Sequence, residues 1–314
     1  WKLGGATDPA AATTDRSDAS VTGYWSPADG RYRHDLLELA LGRAAALPRV
    51  ADPHAIVGRT PAGAVLSAGA GDNAAAALGL GASEGDVVVS VGTSGTAFAP
   101  GPTPPSDVGG DVAGFADAAG GFLPLVCTLN AARVLDTTAA LLGVAASGFD
   151  DLALAANPGS GGLSLLPYFD GERTPDRPRA HGVLNGLSTT SLTRENLARA
   201  AVEGVLCGLA DGIDRLRDQG VDPRRVLLIG GGAASQAVRR IACEILGTPV
   251  TVPAPGEYVA LGAARQAAWA LSGAEHPPRW PAPESHEYAA APRTEARQRY
   301  AELRRETAAW EGHS

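Results

Sequence analysis

The chain contains no methionine, only three cysteines and few aromatic residues, 5% in all. Each shortage excludes something. Cys127, Cys207 and Cys243 form no CxxC pair and are odd in number, which argues against a zinc ribbon or a disulfide framework and for a reduced, cytoplasmic setting. Positive charge is also short. The 26 Lys and Arg stand against 34 Asp and Glu, a net charge of −8, so neither nucleic acid nor an anionic membrane is an expected partner. No apolar run approaches the ~20 residues of a spanning helix, and no signal-peptide pattern is visible. The histidines show no HxxxH spacing, which removes a common metallohydrolase signature. Trp1 stands first where a translated chain has methionine, and Trp1-Lys2-Leu3-Gly4-Gly5 reads as a helix ending at glycines. The expectation is a piece of a longer protein.

What is present is a globular composition, 45% hydrophobic and 19% charged over 314 residues, enough for two domains of ordinary size. Strand and helix patterns alternate, which predicts an α/β architecture. The first stretch reads as a helical turn near residue 10, a loop over 13–29 and a helix over 35–47. Brief strands follow around Gly58 and Val65-Leu66, then a helix over 74–80 that Asp72-Asn73 opens and Gly81 stops. A boundary is expected near Gly85-Asp86. Beyond it come a strand over 87–91, a turn over 92–95 and a returning strand over 96–99, a hairpin. A proline-rich surface loop over 100–105, a strand over 121–127 and helical spacing over 129–142 follow. After a short apolar run over 163–167 comes a long helix over 193–219. Then come a strand over 226–229, a glycine turn, a helix over 235–246, a strand over 249–252 and a helix over 259–271. From Ser272 proline and charge rise, and residues 295–310 read as a solvated terminal helix. The expected division is 1–84, 85–272 and a tail over 273–314.

Three segments are candidates for chemistry. Gly69-Ala70-Gly71-Asp72-Asn73 sets one carboxylate and one amide on a glycine turn before an Ala-rich helix. Asp72 reads either as a helix N-cap or as a base accessible to an alcohol, with Asn73 offering a donor and an acceptor to a polyol. Gly92-Thr93-Ser94-Gly95 reads either as an ordinary hairpin turn or as a nest of N–H groups and two hydroxyls for nucleotide phosphates; it is not a Walker A loop. Ile229-Gly230-Gly231-Gly232-Ala233-Ala234-Ser235-Gln236 runs strand, glycine turn, helix N-terminus without being GxGxxG. Close helix–strand packing and a flat or anionic ligand lying on backbone are both open readings. Glu172-Arg173, in a loop with prolines, reads as a surface ion pair. A carboxylate base beside a phosphate cradle is what phosphoryl transfer to an alcohol requires.

The residues also carry a resemblance. Thr14-Asp15-Arg16-Ser17-Asp18-Ala19-Ser20 resembles the TD-x-S-[DN]-A-S loop of the FGGY carbohydrate kinases. Gly182-Val183-Leu184-Asn185-Gly186-Leu187, running on through Asn196-Leu197 to Ala200-Ala201-Val202-Glu203, is similar to their second signature. Gly71-Asp72-Asn73-Ala74-Ala75, Leu166-Pro167-Tyr168, Gly171-Glu172-Arg173-Thr174-Pro175 and Glu257-Tyr258-Val259-Ala260-Leu261-Gly262-Ala263-Ala264 are similar to the branch acting on D-xylulose. The resemblance covers nearly the whole chain. It implies an actin-like, ribonuclease-H-like ATPase fold of two domains, the first incomplete, and transfer of the ATP γ-phosphoryl group to the terminal hydroxyl of D-xylulose with Mg²⁺. It implies that Asp72 is the catalytic base and that Asp72 and Asn73 contact the sugar. Gly92, Thr93, Ser94 and Gly95 would then contact nucleotide phosphates, and Gly231, Gly232, Ala233 and Gln236 would lie along the adenosine. ATP and the sugar are the implied partners, with a homodimer left open. Another polyol as substrate, or a silent nucleotide-binding fragment, remain alternatives. The Asp-x-Gly-Thr hairpin with which the family begins is not in this sequence, nor are its early sugar-binding residues.

Overall fold

The computed structural model describes residues 2–5 and 8–312. Trp1 and His313, mentioned above or counted among the histidines, lie outside the described residues; Lys2–Gly4 forms a 3-10 turn.

The first part is built of short pieces. They are β1 (Thr13–Asp15), α1 (Arg16–Val21), β2 (Trp25–Ser26), β3 (Arg31–Tyr32), α2 (His34–Leu41), β4 (Arg49–Ala51), β5 (Ile56–Arg59), β6 (Val65–Ser67) and α3 (Asp72–Leu80). The expected loop over 13–29 is corrected here. Asp15 caps α1 by accepting from the Ser17 and Asp18 amides at 2.7 and 3.2 Å, so the Asp- and Ser-rich stretch makes a helix start. The helix expected over 35–47 stops at Leu41, because Gly42 turns left-handed at φ 67°. The strands expected near Gly58 and Val65 pair as β5 and β6.

The rest surrounds one large sheet. Its elements are β7 (Asp86–Val91), β8 (Gly95–Phe98), β9 (Ala113–Ala116), β10 (Phe122–Thr128), α4 (Ala132–Leu142), α5 (Ala146–Ala155), β11 (Ser164–Leu166), β12 (Val183–Asn185), α6 (Arg194–Asp218), β13 (Arg225–Ile229), α7 (Gln236–Leu246), β14 (Val250–Pro253), α8 (Tyr258–Ser272), β15 (Ser285–Tyr288) and α9 (Thr294–Glu306). Among the described residues the sheet has seven strands in the order β15-β14-β13-β7-β8-β10-β9. β13 is parallel to β7 and β14; the expected hairpin β7–β8 is antiparallel, in the register Val91 opposite Gly95.

Alternation along β7 divides the core. Val87, Val89 and Val91 face α4, α6 and α7, whereas Val88 faces α3 with Ala74, Ala77, Leu78, Phe98, Leu125 and Leu227. Both faces are covered, so β7 and β13 are near-continuous apolar runs. The tail is not solvated as expected. β15 extends the sheet antiparallel to β14, and Ala296, Tyr300 and Leu303 of α9 are buried in the main core. α1, α5, β9 and β15 are absent from the expectations above. No single helix among the described residues is long and apolar enough to cross a membrane.

Candidate active site at the carboxyl edge of the sheet

The direction of α3 follows from its connection to β7. Residues 81–85 join them tightly, and Gly79, Leu80 and Gly81 share a cavity with Arg225, the first residue of β13. Arg225 in turn holds Asp86, the first residue of β7, through two bonds of 2.9 and 3.0 Å. The C-terminus of α3 therefore lies at the edge where β7 and β13 begin. Nine helical residues span about 13 Å and six strand residues about 20 Å, so Asp72 lies toward the edge where both strands end. The turns 92–95 and 230–232 leave the sheet at that same edge.

Asp72 is not the N-cap. Gly71 takes that position at φ −61°, ψ 159°, and Asp72 is the first helical residue. Its carboxylate is exposed. Oδ1 accepts from the Asn73 amide at 2.7 Å and from Asn73 Nδ2 at 3.0 Å, so Asn73 orients the group from the side. Two devices hold the glycine turn in front of it. Ser17 Oγ accepts from the Gly71 amide at 2.8 Å while donating to Asp15. Gln266 of α8, 1% exposed, accepts from the Gly69 amide at 3.0 Å and donates to the Gly69 carbonyl at 2.7 Å. Asp18 lies beside this turn. Its carboxyl is held above the usual carboxylate range by burial first, then by Asp15 and Asp72. This end of α3 is thus acidic.

α3 itself is set by a glycine crossing. A Cβ on Gly262 would fall 1.8 Å from the Ala75 carbonyl oxygen, and one on Gly79 would fall 2.1 Å from the Tyr258 carbonyl oxygen. Only glycine allows α3 and α8 to approach this closely.

On the other face a cleft of about 800 Å³ opens between the two glycine turns, α4 and α5. That volume is within the range of small-ligand sites. Gly92, Thr93, Gly231, Gly232 and Gln236 line it, so five of the expected nucleotide-contacting residues converge. Ser94 is exposed outside the lining; its carbonyl accepts from the Gly92 amide at 3.0 Å and closes the turn. Gly95 is buried against Thr128 and Leu209, and Ala233 is 6% exposed. The three glycines of the second turn differ. Gly230 needs its φ of +89°. A Cβ on Gly232 would strike the Val91 side chain at 2.4 Å. Gly231 has nothing within 4 Å, so the room above it is left to a ligand.

The sequence did not point to α5 as a wall. Leu135, Ala139, Ala146 and Phe149 give the cleft an apolar slot, and Asp136, Ser147 and Asp150 add polar groups. Asp150 also corrects an expectation about α7. Its carboxylate accepts from Ser235 Oγ at 2.5 Å and from the Gln236 amide at 2.8 Å, so the helix N-terminus read as a phosphate site already holds an anion of the protein. Glu172 is corrected too. It is 3% exposed and bonded to backbone, with no ion pair to Arg173. No signal short of the fold could have identified α5, because its contribution is shape. The three cysteines are free thiols.

Comparison with known proteins bears on the family and the fold. The model of the FGGY family of carbohydrate kinases, C-terminal domain, matches residues 87–271. A xylulose kinase of Streptomyces rubiginosus is 44% identical over 270 residues, 83% of this chain and 54% of that protein. One of Streptomyces coelicolor is 43% identical over the same length. The chain spans about half the length of these relatives. The crystal structure of xylulose kinase from Bifidobacterium adolescentis superposes with a TM-score of 0.89 at 44% identity, covering 97% of this chain and 66% of that one. The mixed α/β architecture is the actin-like, ribonuclease-H-like ATPase fold of these sugar kinases. With the fold, the family model and the relatives in agreement, the chain belongs to the FGGY family of carbohydrate kinases.

Proposed function

We propose that this chain carries the catalytic base and the nucleotide cleft of a cytoplasmic kinase that phosphorylates D-xylulose on its terminal hydroxyl, using ATP. The observation that supports it most is the placement of an exposed carboxylate, Asp72, at the same sheet edge as two glycine turns that share a ligand-sized cleft. The similar proteins named above are xylulose kinases, which favours that sugar over other polyols.

In this reading Phe149, Leu135 and Ala139 hold the flat base of the nucleotide, and the open backbone at Gly231 lets it lie close. The 92–95 turn supplies amides and the Thr93 hydroxyl to the phosphates. The sugar oxygen attacks the γ-phosphorus, and the bond from that phosphorus to the bridging oxygen of ADP breaks. Asp72 takes the hydroxyl proton late in the transfer and releases it to water, leaving ADP and a sugar phosphate. Asn73 holds Oδ1 by two bonds, which leaves Oδ2 to receive the proton. Mg²⁺ is proposed to travel with the nucleotide phosphates. Among the described residues no group of three His, Cys, Asp or Glu side chains is placed to hold a metal ion, and no step here is routed through one.

The test is ADP release by the protein with D-xylulose, D-ribulose, gluconate and glycerol in turn, beside calorimetry with ATP. Turnover with xylulose that falls about 10²–10⁴-fold in Asp72→Asn, with ATP affinity kept, is the expected result. Asp72→Asn at wild-type rate removes Asp72 from the role. ATP binding without turnover on any sugar supports the silent fragment instead.

A further inference from the structure

The loop Gly171-Glu172-Arg173-Thr174-Pro175 has no part in the site described so far, yet it is built with care. The buried Glu172 carboxylate accepts from the Leu129 amide at 2.6 Å, from the Arg173 amide at 2.8 Å and from Asn130 Nδ2 at 3.0 Å. Asn130 Nδ2 also donates to the Gly171 carbonyl at 2.7 Å. Gly171 has φ +78°, and a Cβ there would lie 2.4 Å from the Pro178 carbonyl oxygen. The backbone leading into Arg173 is thus fixed, and the acidic neighbour is fully engaged elsewhere. The Arg173 side chain is exposed, and no carboxylate among the described residues pairs with it.

Two observations place that guanidinium. Residues 129–132, to which Glu172 is tied, also support the phosphate turn, because the Ala132 amide donates to the Gly92 carbonyl at 2.9 Å. On the other side, Cys127 near the end of β10 pairs with Thr96 just beyond the same turn and packs on the α3 side of the sheet. Burial pushes the Cys127 thiol up, and the charge of Arg173 pulls it back, so the cation lies within electrostatic reach. Glu172, bonded to Leu129 and Asn130 just past the end of β10, therefore sets Arg173 near the carboxyl edge of the sheet, the edge that the 92–95 turn and the Asp72 end of α3 share. A nearby cation, Arg133, is already held by Asp170 at 3.1 Å.

We infer that Arg173 is a further catalytic residue, binding the non-bridging oxygens of the phosphoryl group while it passes from ADP to the alcohol. This rests on the kinase reading above. No bond to Arg173 forms or breaks; its planar donors offset the negative charge spread over those oxygens. Glu172 is a positioning residue, acting through the backbone it holds.

The experiment compares wild type, Arg173→Ala, Arg173→Lys and Glu172→Gln. It uses calorimetry with AMP, ADP and a non-hydrolysable ATP analogue, and ADP release with D-xylulose. Arg173→Ala is expected to keep AMP and ADP affinity, to lose about tenfold for the ATP analogue, and to lose about 10²–10³-fold in kcat with little change in KM for the sugar. Arg173→Lys recovers little, since a point charge lacks the bidentate fork. Equal losses across the three nucleotides, or none, overturn the inference, because a merely structural role cannot single out the γ-phosphoryl group. A protein that binds nucleotide but turns nothing over is judged by the ratio of ATP-analogue to ADP affinity alone. A wild type that binds no nucleotide refutes the kinase reading and Arg173's role together.

Discussion

Glu203 and Asp72 are both acids in stretches that carry family likeness, and their surroundings are opposite. Glu203 is 4% exposed. Its carboxylate accepts from Arg199 Nε at 2.7 Å and from the Gly159 amide and Ser160 Oγ, both at 2.9 Å, and Arg199 reaches on to Glu244 at 2.5 Å. Around it the chain is self-fitting: a Cβ on Gly204 would lie 2.4 Å from the Leu165 carbonyl oxygen, and one on Gly186 would lie 2.2 Å from the Gly162 carbonyl oxygen. Asp72 is exposed, and its hydrogen-bond partner is its neighbour Asn73. The long signature over 182–203 is recognisable because many of its residues must fit one another. The groups proposed to carry the chemistry are few, and the fold leaves them uncommitted.

This contrast breaks most readily at Glu203. Glu203→Ala leaves Arg199 buried with only one of its two carboxylate partners, which costs about 3–5 kcal/mol, read as a shifted midpoint in urea. Nucleotide affinity of the folded molecules is expected to stay as it was. An unchanged midpoint would show that the network does not hold α6 to α7. Gly262→Ala sharpens the contrast from the other side. In an isolated helix that change is favourable by about 1 kcal/mol. Here its methyl group must displace α3, at a cost of about 2–3 kcal/mol, and α3 bears Asp72. Turnover measured well below the melting temperature should fall by more than the loss of folded protein explains. If turnover follows folded fraction alone, the crossing does not position the base.

Much of the fold was legible in the sequence, for reasons visible in particular residues. The valines of β7 and the Gly81 stop are local signals, and local physics decided them. β15 was not legible, since Ser285-His286-Glu287-Tyr288 has no strand pattern of its own and pairs only because β14 offers an edge. α9 looked solvated because a single stripe, Ala296, Tyr300 and Leu303, is all that it buries. Of the proposed site, Asp72, Asn73, Gly92, Thr93 and Gly231 stood out by spacing and glycine content as candidates with more than one reading, and the resemblance supplied the roles proposed for them. The α5 wall, the engagement of α7 by Asp150 and the inward turn of Glu172 depend on residues distant in sequence.

Smaller changes test how firmly the free groups are held. Ser17→Ala removes the acceptor for the Gly71 amide, at about 1 kcal/mol. It is expected to lower kcat several-fold without changing ATP affinity, as seen by ADP release and calorimetry. A loss in ATP affinity equal to the loss in kcat would mean that α1 supports the whole edge rather than the turn before Asp72.

The smallest effect is expected at Asp117, which faces α1 from the loop after β9. Its Oδ1 accepts from the amides of Ala119, Gly120 and Gly121 at 2.9, 2.8 and 2.6 Å, and Arg16 is close by. Burial nonetheless outweighs these contacts and holds the carboxyl above its ordinary value of 3.8. Between that value and the higher folded one, the folded state binds more protons than the unfolded state. Stability from this group therefore falls as pH rises through the window and levels off above it. Asp117→Asn keeps an acceptor oxygen for the three amides and does not titrate. Melting curves of the two proteins should run together below about pH 3.8, with wild type falling behind as pH rises above it. If wild type instead gains on the variant as pH rises, the amides and Arg16 outweigh burial, and Asp117 belongs with the engaged acids like Glu203.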